Sequence, residues 1–479
     1  MGSKKKSEDI KVSFVGENAH DVTNSMILVE FKNHKILLEC GLYQSNSTLK
    51  DMQINSRAFK FRPSEITHIF FTHNNIDHIG LTPALYKEKN NCNADIIIPK
   101  NTGGIMKLLL EDSCHIINRT SEILSKQGKN IKPFYEKCDT DKCLNHITEY
   151  ETNTIHKIDD ILSFRFTPSG HLFGANQVEL FITINNIKKV LLYTGDIGNL
   201  IVGKKHFVEE FKPVEYADMA IVESTYAMKI NNVNSKTRLK DLEKLKTIVC
   251  DIIDRKKGRI LIPSFSFART QEILSDLYTI FKDDNSFNLP IYLDSPLAIK
   301  ITEEYLNQLE GDEKSYLNEI LYWDKLNIIN SSDESKMNVS SNESSILISA
   351  SGMCSAGRVM HYLPYILQDE NSCIVTIGYS PDDSILGKIK SKKYKTIFIG
   401  KDEVKNKCNI VELKSYSSHI QHNEMLEYYS SINGLKQICL VHGEFSNKVQ
   451  FAELLEERLS QKCSSAKVYA ISKDDVVYL

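Results

Sequence analysis

The chain begins in short apolar runs rich in β-branched and aromatic residues, "VSFVG", "MILVEF", "KILLEC", "HIFFTH" and "DIIIPK", most of them closed by a charged, histidine or glycine position. Runs of this length and composition predict buried strands. From about Thr102 to Ile158 the pattern loosens into polar helical stretches, typified by "IMKLLLEDSCHIINRTSEIL", with a cysteine-bearing loop. Strands resume at "ILSFRFTPSG", "QVELFITI" and "KKVLLYTGD". Because the β-runs end in His, Asp or Gly loops, their polar ends are expected to converge on one sheet edge.

After "PVEYADMAIVESTY" the pattern turns to regular alternation: "GRILIPSF", the helix "ARTQEILSDLYTIF", then "LPIYLDSPL" and a further helix. That alternation predicts a parallel-sheet α/β lobe. The polar stretch from Asn330 to Ser345, "NSSDESKMNVSSNESS", reads as a surface loop within it. "NIVELKSYSSHIQHNEM" and "ICLVHGEF" then return to histidine-tipped runs. The expected organisation is a first lobe over 1–212, an inserted lobe over 213–404, and completion of the first lobe by 405–479. No internal repeat or heptad run interrupts this pattern.

Composition and charge narrow the picture. A hydrophobic share of 41% and a charged share of 25% over 479 residues suit a soluble globular chain of two lobes. No apolar run approaches the roughly 18 residues of a membrane-spanning helix, so a membrane role is not expected. A formal net charge of -3 excludes recognition of nucleic acid by bulk basicity, leaving only a local groove. The start, "MGSKKKSEDIKV", is expected to fray. The 11 cysteines are scattered, several within apolar runs (Cys40, Cys250, Cys439), as in reduced thiols of a cytoplasmic protein, with the nucleus as the alternative in a eukaryote. Cys138 and Cys143 lack the second pair that a zinc ribbon needs.

The candidate chemistry sits at the ends of the predicted strands: His73, Asp77 and His78 in "THNNIDH", His171 in "TPSGHLFGA", Asp196 in "YTGDIG" and His442 in "LVHGEF". Neutral imidazole nitrogen and anionic oxygen suit zinc-like ions, and a shared carboxylate can bridge two of them. A lone histidine after a strand is more often a core or capping residue. Six such residues together carry more weight.

With "DVTNSMILVE", "KILLECGLYQ", "LLLEDSCHI", "VESTY", "IPSFSFARTQEIL", "YLDSPLAI", "SASGMCSAGRVMHYLP", "SILGKI", "SYSSHIQ" and "LVHGEF" in order, nearly the whole chain resembles the β-CASP group of metallo-β-lactamase-fold nucleases. That group includes the pre-mRNA 3′-end cleavage endonuclease, its bacterial and archaeal relatives, and RNase J. The resemblance implies an α/β fold, a metallo-β-lactamase αββα sandwich with an inserted parallel-sheet β-CASP domain. It implies a metal-dependent ribonuclease acting on RNA in processing or decay, in the cleft between the two domains, with endonuclease and exonuclease action both open. It implies two Zn2+ sites, with Mn2+ as the alternative occupant: His73 and His171 on one ion, Asp77, His78 and His442 on the other, and Asp196 bridging. Glu223 and His419 are implied as a carboxylate–imidazole pair, with His419 the general acid toward the leaving ribose oxygen. Ser351, Gly352, Gly357, Arg358 and His361 are the implied substrate contacts, since a small-residue loop entering a helix suits a phosphate. A tight strand-to-helix turn is the plainer reading of the same glycines. A monomer or homodimer is expected, with membership of an RNA-processing complex as an option.

Four positions depart from the group's pattern. Asn75 stands where the second histidine of His-x-His-x-Asp-His belongs, and an amide oxygen is a weaker ligand than imidazole. Glu39 replaces the Asp that supports the ligand histidines, Asn24 replaces a common Gly, and Gln421 stands where an Asp usually follows the histidine. These leave two other readings: a weak or inactive homologue serving as an RNA-binding or scaffold subunit, and a DNA or small-ester hydrolase. Retention of Asp77, His78, His171, Asp196, Glu223, His419 and His442 favours the active ribonuclease.

Overall fold

The computed structural model describes residues 9–17, 22–200, 205–229, 233–255, 257–378, 380–382 and 384–479. Of the opening basic segment, Met1–Glu8 lie outside these residues. Its last residues do not fray, because the strand Lys11–Phe14 pairs with Ile27–Phe31 on one side and Val476–Tyr478 on the other.

The described residues within Met1–Leu200, Val208–Asn231 and His419–Leu479 form one compact unit. Two seven-stranded sheets build it. The first runs Val476–Tyr478, Lys11–Phe14, Ile27–Phe31, His34–Leu38, His68–Phe70, Asp95–Pro99, Ile147–Tyr150. The second runs Lys467–Ala470, Gln437–Val441, Met219–Glu223, Ile187–Tyr193, Asn176–Ile184, Leu162–Pro168, Ile155–Lys157. Period-two alternation points Phe14, Val29, Phe70 and Ile97 of the first sheet and Phe164, Phe166, Leu180, Leu191, Ile221 and Val441 of the second into one shared core. On the other face of the second sheet, Leu192, Ala220, Val222, Ile438 and Leu440 pack with Met425 and Tyr429 of the helix His422–Ser431 and Phe451 and Leu455 of the helix Phe445–Gln461. The loosely patterned stretch after Pro99 contains a 24-residue helix, Gly103–Lys126, that buries Ile105, Met106, Leu109 and Leu110 along one side.

Strand direction decides where the polar ends fall. Ile187–Tyr193, Met219–Glu223 and Gln437–Val441 pair in parallel, so their C-terminal ends share one edge of the second sheet. Leu162–Pro168 is two antiparallel steps from Ile187–Tyr193 and therefore runs the same way. The loops that follow these four strands carry His171, Asp196, Thr225 and His442.

Ile201–Phe207 and Asn232–Ser418 bound the second unit. Its six-stranded sheet, in the order Leu326–Ile328, Ile291–Asp294, Ile346–Ser349, Ile260–Pro263, Cys373–Ile377, Asn409–Leu413, is parallel at every pairing. The unit limits differ from 213 and 404 for a reason of pairing. Met219–Glu223 is fully buried between two strands of the first unit, whereas Asn409–Leu413 completes the sheet of the second. The expected loop at 330–345 contains a helix, Ser332–Val339, opened by a capping box between Ser331 and Glu334. Its Ser335 hydroxyl donates to the buried Asp294 carboxylate at 2.6 Å.

All eleven cysteines are free, Cys40 and Cys439 being buried and Cys250 half-buried. Among the described residues no helix is long and apolar enough to cross a membrane.

Phe164 is fully buried and meets Phe70 edge-on across the two sheets at 5.0 Å between ring centres. Phe164→Ala is expected to cost about 3 to 5 kcal/mol, read as a lower urea midpoint with an unchanged slope.

Candidate metal centre

His73 lies in the loop after His68–Phe70, and Asp77 and His78 lie on the short helix Ile76–Ile79 that follows. Asn75 is the residue before that helix. Its carbonyl accepts from the amides of His78 (2.9 Å) and Ile79 (3.0 Å), while its side chain makes no capping bond. Close packing fixes this loop: a Cβ on Gly41 would come within 1.6 Å of the Asp77 carbonyl.

Four loops deliver a buried donor cluster. Asp196 is at its centre, 2% exposed. Its Oδ2 faces His73 Nε2 and His171 Nε2, each at 3.7 Å. Its Oδ1 faces His78 Nε2 at 3.6 Å and His442 Nδ1 at 3.5 Å. Asp77 Oδ2 closes the second group, 3.6 Å from His78 Nε2 and 3.4 Å from His442 Nε2. The donor atoms of His73, His171 and Asp196 lie within 4.8 Å of one another, and so do those of Asp77, His78 and His442.

Burial and the mutual fields of these groups set their protonation. Burial pushes the His73 pKa well below its usual value, and the neighbouring His78, His442 and His419 add to the effect. For His78 burial acts downward too, yet Asp196, Asp77 and Glu39 outweigh it and raise the imidazole to about 10. Burial opposes ionisation of Asp77, but His78 and His442 hold its carboxyl at about 2. Buried His73 Nε2 and Asp196 Oδ1 have no hydrogen-bond partner among the described residues. Unmet polar atoms in a dry interior are costly unless something else satisfies them. Imidazole and carboxylate donors at this spacing fit a divalent metal ion.

A third group adjoins the cluster. Glu223, at the end of Met219–Glu223, accepts from the Ile197 amide at 2.6 Å and faces His419 Nδ1 at 3.1 Å. His419 Nδ1 is also 3.9 Å from Asp196 Oδ2. Burial raises the Glu223 carboxyl, but His419 and His442 reverse this and leave it lowered.

The substrate positions taken from the resemblance lie in the second unit: Ser351, Gly352, Gly357 and Arg358 between the strand Ile346–Ser349 and the helix Val359–Gln368, and His361 in that helix. Gly357 has φ +79°, and a Cβ on Gly352 would meet the Phe265 ring at 2.9 Å, so both glycines have local conformational reasons. Arg358 pairs through Nη1 with Asp294 and the Ile329 carbonyl. Ser351 Oγ accepts from the Ser355 amide at 3.2 Å, and His361 is exposed.

Two departures from the group's pattern have structural explanations. Asn24 occupies a left-handed backbone (φ +60°), which Asn tolerates better than most residues. Its side chain donates to the Gly41 carbonyl and accepts from the Glu17 amide. Gln421 caps the helix His422–Ser431 with Glu424 and donates to the His419 carbonyl at 2.9 Å. Sequence reasoning missed Thr72 and Thr225, whose hydroxyls lie 3.0 Å from His73 Nδ1 and 2.9 Å from His442 Nδ1.

Comparison with known proteins agrees with this geometry. Residues 21–94 match the metallo-beta-lactamase superfamily, 270–389 the Beta-Casp domain, and 403–466 the Zn-dependent metallo-hydrolase RNA specificity domain. The chain carries metallo-β-lactamase and β-CASP domains. This β-CASP protein is 26% identical to Ribonuclease TTHA0252 of Thermus thermophilus, over 94% of its length and 96% of the relative's. It is 27% identical to Transcription termination factor FttA of Methanocaldococcus jannaschii, over 95% of its length and 70% of the relative's. With Endoribonuclease YSH1 of Candida glabrata the identity is 24%, over 93% and 56% respectively. Among solved structures, a protein of unknown function from Enterococcus faecalis V583 shares the fold, with a TM-score of 0.52 and 10% identity over 98% of this chain and 100% of that one.

Metal ions that bind the folded cluster and not the unfolded chain will stabilise it. Adding Zn2+ or Mn2+ at a hundredfold excess over the dissociation constant is expected to contribute about 2.7 kcal/mol per site. The check is a raised melting temperature that a chelator reverses.

Proposed function

We propose that this β-CASP protein hydrolyses RNA phosphodiester bonds with two divalent ions, Zn2+ or Mn2+. In this reading His73, His171 and Asp196 hold one ion, and Asp77, His78, His442 and Asp196 hold the other. The observation that carries the reading is the division of Asp196, one oxygen toward each histidine pair. RNA as the substrate is supported by the names of the relatives and by the RNA specificity domain matched at 403–466.

Divalent ions at such a site supply positive charge to the reacting phosphate and acidify water there. The chain's own residues do the rest. Burial of Asp196, His73 and His171 excludes bulk water from one side of the centre. Glu223 engages His419 through Nδ1, which orients the ring and favours its protonated form; the opposite nitrogen, Nε2, then gives a proton to the leaving ribose oxygen. Ser351, Gly352, Gly357, Arg358 and His361 are the proposed contacts to the RNA backbone. Asn75 is proposed to weaken the His73 and His171 ion, since it replaces an imidazole donor with a neutral amide.

A labelled RNA incubated with Zn2+, Mn2+ or Mg2+ tests the activity. Cleavage is expected with at least one of the first two ions and is expected to be abolished in Asp196→Ala. Asn75→His is expected to tighten one metal equivalent by about 10-fold or more, the scale on which ligand-shell changes act. If no metal supports cleavage that Asp196→Ala removes, the ribonuclease reading is wrong. The chain would then be a non-catalytic RNA-binding homologue.

Because the metal-free centre holds a proton on His78, with a pKa of about 10, loading a metal at neutral pH must displace it. Metal affinity is therefore expected to fall as pH is lowered. Calorimetry in buffers of different ionisation enthalpy should record about one proton released per filled centre.

A further inference from the structure

Glu39 is fully buried, in a left-handed backbone (φ +62°) just beyond the strand His34–Leu38. Its Oε1 accepts from the Thr72 amide at 3.0 Å and lies 2.5 Å from the Thr72 hydroxyl. The same Oε1 is 3.6 Å from His78 Nδ1. The Thr72 hydroxyl is in turn 3.0 Å from His73 Nδ1.

The direction of these bonds follows from the backbone. An amide can only donate, so Oε1 accepts from it, and as an ionised carboxylate oxygen, which has no proton to give, it accepts from the Thr72 hydroxyl as well. The hydroxyl hydrogen therefore points at Glu39, and the Thr72 oxygen lone pair is left to accept from His73 Nδ1–H. That fixes the His73 tautomer with its proton on Nδ1 and its lone pair on Nε2, the nitrogen that faces Asp196 and the His171 group. Thr72 has little freedom to turn away: a Cβ on Gly195, the residue before Asp196, would come within 2.3 Å of its hydroxyl oxygen.

We infer that Thr72 is a positioning residue, relaying the Glu39 carboxylate to His73 while Glu39 faces His78 directly, so that one carboxylate supports a ligand of each proposed ion. This rests on the two-ion reading above. It gives the extra methylene of Glu39 a use, since a single oxygen reaches the Thr72 amide, the Thr72 hydroxyl and the His78 ring edge together. It also makes the ion at His73 and His171 depend most on Thr72, because that group has three protein donors and Asn75 in place of a further imidazole.

The test compares the full-length native protein with Thr72→Val, Thr72→Ser and Glu39→Gln. Bound zinc is counted by elemental analysis, affinities are measured by chelator competition, and the absorption spectrum is recorded after cobalt substitution. Thr72→Val keeps the shape and removes the hydroxyl. It is expected to weaken one equivalent by about 10 to 100-fold, the range for groups that orient metal ligands, and to alter the cobalt spectrum. Thr72→Ser should return both to native values, and Glu39→Gln should weaken both equivalents. Native affinities in Thr72→Val would overturn the inference, as would Thr72→Ser behaving like Thr72→Val, since the methyl group and not the hydroxyl would then matter. Melting of the metal-free variants separates loss of fold from loss of positioning. Fewer than two equivalents in the native protein would overturn the two-ion reading, and this inference with it.

Discussion

The first unit is organised around one buried carboxylate. Asp196 is nearly inaccessible and yet sits against four imidazoles, each oxygen serving a different pair. A lone ionised carboxylate in that position would be strongly disfavoured. Its tolerance requires compensating charge from several directions at once, and so the strand ends around it must be held in place by something else. The shared core between the two sheets provides that support, since it fixes strand positions by packing that owes nothing to the polar cluster. Apolar burial thus sustains an arrangement that is electrostatically costly in itself.

The same logic explains why the cluster is graded. The group with Asp77 has two carboxylates and two imidazoles, and its anions pull one imidazole far up in pKa. The group with His73 and His171 has Asp196 alone as an anion, and its His73 is driven toward the neutral form by burial first and by the neighbouring imidazoles second. In the two-ion reading, the two sites therefore differ in charge before position 75 is considered. The amide proposed to replace an imidazole there would enlarge that difference.

Much of this was legible in the sequence. The β-runs, the parallel lobe and the polar residues at strand ends all follow from short-range patterns, and the strand ends do converge. What escaped was of two kinds. The helix Ser332–Val339 is polar along its length and buries only Ser335, so hydrophobic periodicity gave no signal, although the S-x-x-E capping box was present to be read. The hydroxyl contacts of Thr72 and Thr225 escaped because threonine is common and tertiary structure sets their surroundings: Thr72 borders His73 but meets Glu39 from 33 positions away, and Thr225 meets a histidine 217 positions away. Asn24 and Gln421 looked like erosion of a motif. The left-handed turn at one and the helix cap at the other show side chains that suit their own backbone.

The parallel order of the second sheet has a consequence in time. Its strand Gln437–Val441 is inserted beside Met219–Glu223, so the two are neighbours in space but separated along the chain by the larger segment of the second unit, Asn232–Ser418. A ribosome releases His73, Asp77, His78, His171 and Asp196 long before it releases His419 and His442. During synthesis the early residues can gather, but His419, the partner of Glu223, and His442, the last donor of the Asp77 group, are still missing. A chain interrupted before position 419 therefore lacks both His419 and His442, the last imidazoles to join the cluster.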